Sequence, residues 1–154
     1  LVDIPAESIA DGLRTARPLP HRLEPVAVRN GVVWLNDSKA TNVAATRSAL
    51  ESVNHPIVLL LGGVDKGENF RSLVPSTANL RAILAYGAAA PRIVSEIEGA
   101  VLVDGDLGLV VQHAKKLAEE GDAILLSPAC SSFDMFDNYE ERGRLFASLA
   151  SEAL

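Results

Sequence analysis

Pro56-Ile57-Val58-Leu59-Leu60-Leu61-Gly62-Gly63 decides the fold class. Pro56–Leu61 is an unbroken apolar run of strand length, closed by two glycines. A strand with one wet face alternates polar and apolar residues. An unbroken run suits a parallel strand covered on both faces. Working outward, Leu80–Ala85, Val101–Val103 and Asp122–Leu126 read as further strands. Helical segments fall between them. A short one follows Asn69. Ala88–Ile97 carries Pro91 in its first turn, where a missing N–H costs nothing. Asp106–Glu120 keeps Leu107, Val110, Val111, Ala114 and Leu117 at helical spacing, and Gly121 is expected to close it.

Upstream, Thr41–Val53 reads as a helix with Val43, Thr46, Leu50 and Val53 on one side. Val26–Val28 and Val32–Leu35 flank Arg29-Asn30-Gly31, and Asn-Gly between apolar runs is a hairpin signal. Residues 6–17 predict a short helix with Ile9 and Leu13 on one face. Pro18 and Pro20 stop it, so Pro18–Arg22 reads as a linker. A final helix follows Ser127–Asp137, with Tyr139, Phe146 and Leu149 inward and Gly143 admitting a close neighbour. The expected architecture is α/β: a mixed, mostly parallel open sheet with helices on both faces.

Composition narrows the function. The 154 residues carry a net charge of −6, which disfavours nucleic-acid and anionic-membrane partners. A single cysteine permits no internal disulfide and fits a reducing, cytoplasmic setting. No apolar run approaches the roughly 18 residues that span a bilayer. The chain starts at Leu1 and its only methionine is Met135, so it is expected to be part of a longer reading frame.

In open α/β sheets ligands bind beyond the carboxyl ends of the strands. Three polar loops follow apolar runs here: Asn36-Asp37-Ser38-Lys39-Ala40-Thr41-Asn42, Gly62-Gly63-Val64-Asp65-Lys66-Gly67, and Ser127-Pro128-Ala129-Cys130-Ser131-Ser132-Phe133-Asp134. With parallel strands they open on one edge. Lysines, hydroxyls and free amides at helix starts suit an anionic ligand. Each piece also has an ordinary reading. Asp37, Ser38 or Thr41 could cap the following helix. Lys66 could be a solvated loop lysine, and Cys130 an inert core residue. His55 reads as a strand-start residue and His113 as the outer face of its helix. The Gly-rich phosphate loop G-x-x-x-x-G-K-[ST], the G-x-G-x-x-G fingerprint, the G-x-S-x-G elbow and metal-ligand spacing are all missing.

Pro20-His21-Arg22, the three loops and Phe136-Asp137-Asn138-Tyr139-Glu140-Glu141-Arg142-Gly143 occur in this order in a known family. The chain resembles the C-terminal domain of the Mur ligases that add D-glutamate, and the likeness spans nearly its whole length. The resemblance implies a Rossmann-like domain of a three-domain enzyme of peptidoglycan precursor synthesis. In that enzyme ATP phosphorylates the alanyl carboxylate of UDP-N-acetylmuramoyl-L-alanine. The amine of D-glutamate then attacks the acyl phosphate. It implies that His21, Arg22 and Asp37 face the nucleotide, and that Lys39 stands near the transferred phosphate as a catalytic cation. Thr41, Lys66, Ser132, Phe133 and Tyr139 would form the D-glutamate pocket, with Arg142 as support. Residues 1–22 would end a central ATPase domain and its hinge, and 23–154 would be the C-terminal domain. The phosphate loop, the Mg2+ ligands and the N-terminal UDP-binding domain would lie elsewhere, so this chain alone is expected to be inactive. The alternatives are another Mur or folylpolyglutamate-type ligase domain, a stand-alone anion-binding module, or a Cys130 thiol enzyme, the last without an identifiable base.

Overall fold

The computed structural model describes residues 19–76 and 79–152. The helix expected over 6–17 lies outside the described residues. Strand β1 (Glu24–Arg29) turns through Asn30 and Gly31, both at positive φ (50° and 72°), into β2 (Val32–Asn36). Two consecutive left-handed residues match the twist of an antiparallel pair, which is why Asn-Gly sits there. There follow α1 (Val43–Ser52), β3 (Ile57–Gly62), a 3-10 helix (Phe70–Ser76), β4 (Leu80–Tyr86), α2 (Ala90–Glu96), β5 (Ala100–Leu102), α3 (Leu107–Leu117), β6 (Ala123–Leu126) and α4 (Tyr139–Ser151).

The six strands form one sheet in the order β1-β2-β6-β3-β4-β5. Only β1 runs antiparallel; every other neighbouring pair is parallel. β3 lies inside the sheet and is buried throughout. Its Ile57, Leu59 and Leu61 join Leu50, Phe70, Leu73 and Ile93 in a core beneath α1, the 3-10 helix and α2. Val58 and Leu60 point the other way, into a second core with Trp34, Val110 and Phe146 from β2, α3 and α4. Two covered faces explain why this strand is apolar at every position. Each fully buried Leu or Ile contributes about 1.5–3 kcal/mol.

Several element boundaries, and the burial of α4, differ from expectation. α1 begins at Val43, because the side chain of Asn42 accepts a hydrogen bond from the Ala45 amide (2.8 Å) and caps the helix. α3 ends at Leu117, with Ala118 extended, so Gly121 (φ 93°) closes the turn into β6 and not the helix. The buried Asp122 carboxylate draws the chain off the helix by accepting from the Glu119 amide (2.8 Å). β5 is Ala100–Leu102, set by its pairing with Ile83–Ala85 of β4. In α4, Phe146 is fully buried while Tyr139 and Leu149 are half-buried. The loops after β2, β3 and β6 leave parallel strands and share one edge.

Candidate functional site

The loop after β2 forms one side of the site. Asp37 is buried, and its carboxylate accepts from the Ser127 hydroxyl (2.7 Å) and the Leu23 amide (3.1 Å). Burial raises its pKa above the ordinary aspartate value; the Ser127 and Leu23 hydrogen bonds and the nearby Arg22 charge oppose the rise without cancelling it. Asp37, Arg22 and Lys39 line one cavity of about 420 Å³, beside Ala45 and Ser48 of α1. Three of the residues expected to face the nucleotide are therefore brought together. The helix-capping reading of Asp37, Ser38 and Thr41 gives way, since Asn42 caps α1.

His21 is placed differently. Its Nδ1 accepts from the Asn36 amide (2.9 Å), and the same Asn36 amide donates to the Gly143 carbonyl (3.1 Å). The imidazole occupies the space that a side chain at residue 143 would need, and it meets Tyr139 edge-on at 6.1 Å. This is the close approach expected at Gly143. His21 joins the entering chain to α4 and does not line the Arg22–Asp37–Lys39 cavity. Lys39 Nζ stands 5.6 Å from the centroid of the Tyr139 ring, a cation–π contact that holds the ammonium over α4's first residue.

The loop after β3 forms the other side. Val64 and Ser131 exchange backbone hydrogen bonds (2.9 and 3.0 Å), zipping this loop to the one after β6. Gly63 (φ 126°) makes the approach possible: a β-carbon there would overlap the Ser131 carbonyl oxygen. Lys66 is exposed and makes no hydrogen bond or ion pair with the described residues. Its loop is nonetheless held. Arg92 of α2 donates to Asp65 (2.7 Å), to the Glu68 carbonyl (2.6 Å) and to Glu96 (2.7 Å). Asp65 also accepts from the Gly67 amide (2.6 Å), and Glu68 from the Val43 amide (2.9 Å). A free ammonium on a fixed loop is a ready partner for a carboxylate.

In the loop after β6, Ser132 is buried and its carbonyl accepts from Met135 (3.1 Å) and Phe136 (2.9 Å). Phe133 is 73% exposed, so most of its surface is open to solvent. Thr41 is half-buried, its amide bonded to the Lys39 carbonyl (2.9 Å). Cys130 is fully buried, and burial pushes its thiol up to about 12. A fully buried, protonated thiol disfavours the cysteine-nucleophile alternative.

Arg142 connects these parts. The side chain is fully buried. Nε donates to Ser38 Oγ (3.0 Å), Nη2 to the Ser38 carbonyl (2.9 Å), and both Nη atoms to the Cys130 carbonyl (3.2 Å). Ser38 Oγ in turn donates to the Tyr139 carbonyl (2.7 Å). Sequence reasoning read Ser38 only as a possible helix cap and did not single out Arg92 or the Asp37–Ser127 pair. Only the Arg92–Glu96 spacing, one helical turn, carried a local signal. Among the described residues no three His, Cys, Asp or Glu side chains are grouped so as to hold a metal ion. No described helix is long and apolar enough to cross a membrane.

Residues 21–130 match the family described as Mur ligase, glutamate ligase domain. The chain is 47% identical to the UDP-N-acetylmuramoylalanine–D-glutamate ligase of Acidobacterium capsulatum, over 97% of this chain and 33% of that protein. It is 46% identical to the enzyme of that name from Rubrobacter xylanophilus, over 94% of this chain and 34% of the relative. It thus spans about a third of the length of the curated relatives it matches. Among solved structures, the bifunctional folylpolyglutamate synthase/dihydrofolate synthase of Yersinia pestis aligns at TM-score 0.63 and 18% identity, covering 96% of this chain and 35% of that one. A structure of a bifunctional folylpolyglutamate synthase/dihydrofolate synthase with Mn, AMPPNP and L-glutamate bound aligns at TM-score 0.63 and 16% identity, over 96% and 36%. At these identities the structural likeness shows the fold.

Proposed function

Because the chain belongs to the Mur ligase glutamate ligase domain family, we propose that it is the C-terminal domain of an ATP-dependent amide ligase joining D-glutamate to UDP-N-acetylmuramoyl-L-alanine. The observation that carries this is the identity of more than 45% to ligases of that name across nearly the whole chain. The geometry supports a division of labour along one sheet edge. The Arg22–Asp37–Lys39 cavity receives the nucleotide, with Lys39 turned to the phosphate that is transferred. Lys66, Thr41, Ser132, Phe133 and Tyr139 receive D-glutamate, the Lys66 ammonium taking one of its two carboxylates. Each such charge-assisted bond contributes about 1.5–3 kcal/mol.

The reaction asks for positioning above all. The amine nitrogen bonds to the carbonyl carbon of the acyl phosphate, phosphate leaves with the electron pair of the broken C–O bond, and the amine loses a proton. Holding amine and acyl phosphate together converts a bimolecular step into an effectively unimolecular one. Lys39 offsets charge that builds on the departing phosphate. His21, packed against Asn36 and Gly143, acts through the fold of the nucleotide loop and not by contact. The magnesium ligands are placed in the central ATPase domain; among the described residues no three His, Cys, Asp or Glu side chains are grouped to hold a metal ion. Residues 1–22 join the central ATPase domain to the domain at 23–154, and the ligase works in the cytoplasm.

The test is phosphate release by the longer ligase containing this chain. Turnover should need ATP, UDP-N-acetylmuramoyl-L-alanine and D-glutamate together, and the 154-residue chain alone should give none. Turnover without D-glutamate, or by the chain alone, would contradict the proposal.

A further inference from the structure

Ser38 is fully buried between the two cavity residues Asp37 and Lys39, yet its own contacts lead away from that cavity. Its hydroxyl donates to the Tyr139 carbonyl (2.7 Å) and accepts from Arg142 Nε (3.0 Å). The Arg142 guanidinium reaches on to the carbonyl of Cys130, two residues before Ser132. One clasp therefore fastens the nucleotide-side loop to the first residue of α4 and to the loop that carries Ser132. Among the described residues no carboxylate bonds to this guanidinium, so its burial is compensated by neutral oxygens whose positions it dictates. A buried cation without an ionic partner is costly. Keeping one at the junction of two loops fits a need for exact spacing more than a need for stability.

We propose that Ser38, with Arg142, is a positioning residue that fixes the distance between the two subsites. The inference rests on the ligase reading above, and it assigns Ser38 no contact with either substrate. The clasp sets how far Lys39, beside the transferred phosphate, stands from the Tyr139 backbone at the D-glutamate pocket. Loosening it leaves each subsite able to bind but spoils the alignment of amine and acyl phosphate. A displacement of about 1 Å between reacting groups costs on the order of 100-fold in rate. The loss then falls on kcat, where removal of a binding contact falls on KM.

The experiment uses the longer ligase with Ser38→Ala and, independently, Arg142→Lys. Arg142→Lys keeps the charge but cannot span both loops with one planar fork. Each variant is titrated with ATP and with D-glutamate, alongside Lys66→Ala as a reference for the ligase reading. Expected is a fall in kcat of about 10- to 100-fold, with both KM values within about threefold of the parent. A kcat within threefold of the parent, or a loss confined to one substrate's KM, overturns the proposal. Should Ser38→Ala fail to fold, Arg142→Lys decides by the same criteria. If Lys66→Ala leaves the D-glutamate titration unchanged, the fault lies in the assignment of subsites, which separates that failure from failure of the clasp.

Discussion

Asp37→Asn should make the domain more stable at neutral pH while weakening nucleotide binding. The Asp37 carboxylate is buried, and burial raises its pKa despite hydrogen bonds from Ser127 and the Leu23 amide. A raised pKa means that the folded state disfavours the charged form. An asparagine reproduces the neutral form in the same volume. Its Oδ1 can accept from the Leu23 amide and its Nδ2 can donate to Ser127, whose hydroxyl also reaches Thr46 Oγ1 (3.1 Å). The expected gain is about 1 kcal/mol, within the range of single stabilising substitutions. For a chain of this length that is a rise in Tm of roughly 2–4 °C. The sign with pH follows. A group with a raised folded pKa contributes its full stability below its unfolded pKa, and loses it as pH rises through the folded value. Parent and variant should therefore converge near pH 3.5 and separate toward pH 7.5. Thermal unfolding of the chain followed by the fluorescence of its one tryptophan, Trp34, reads this directly. A variant less stable than the parent by 1 kcal/mol or more at pH 7.5, or an offset independent of pH, would refute the reasoning.

Three further outcomes are expected. Gly63→Ala should unfold the domain or cost several kcal/mol in urea denaturation, because a β-carbon would enter the Ser131 carbonyl in a left-handed backbone. Cys130 should resist alkylation in the folded chain at pH 8 and react fully in denaturant, since burial raises its thiol to about 12; rapid native labelling would contradict its placement. For Asp122, burial by itself would raise the carboxyl, but hydrogen bonds from Arg81 and the Glu119 amide outweigh it and hold the pKa below the usual value. Its stability contribution is thus present above the unfolded pKa and lost as pH falls through the folded one. Asp122→Asn should lower stability at pH 7 and flatten the acid limb of a pH–stability curve, as measured by urea midpoints.

Much of the fold could be read locally because the deciding signals are local. The Asn30-Gly31 turn, the apolar run of β3 and the helical spacing of α3 each announce themselves within a few residues. Boundaries failed where neighbours competed. Asp37, Ser38, Thr41 and Asn42 are all capping types in one loop, and tertiary demands on Asp37 and Ser38 left the cap to Asn42. At the site, the motifs located the three loops and the residues of the Arg22–Asp37–Lys39 cavity. They did not disclose the clasp, because Ser38 and Arg142 lie 104 positions apart and, apart from the bond to Ser38 Oγ, their bonds run to backbone oxygens that any residue could supply. Arg92 escaped for a similar reason: its partners Asp65 and the Glu68 carbonyl come from a loop 24 to 27 positions away. The resemblance sets His21 beside the nucleotide residues; its φ of 61° and the packing of its ring against Gly143 are tertiary features that the sequence does not announce.

The central claim is that one sheet edge carries two separate subsites, one for the nucleotide and one for D-glutamate. The measurement that tests it most directly is a pair of steady-state titrations, varying D-glutamate and then ATP, on Lys66→Ala and Asp37→Ala of the longer ligase. Lys66→Ala should raise KM for D-glutamate about 10- to 100-fold, the equivalent of one charged contact, and leave the ATP titration near the parent's. Because Lys66 makes no bond to the described residues, its removal should also leave Tm unchanged. Lys66→Arg should not fully restore activity, since a planar fork differs in reach from a compact ammonium. Asp37→Ala should act chiefly on the ATP axis. An unchanged D-glutamate titration for Lys66→Ala, with a raised KM for ATP, would contradict the account.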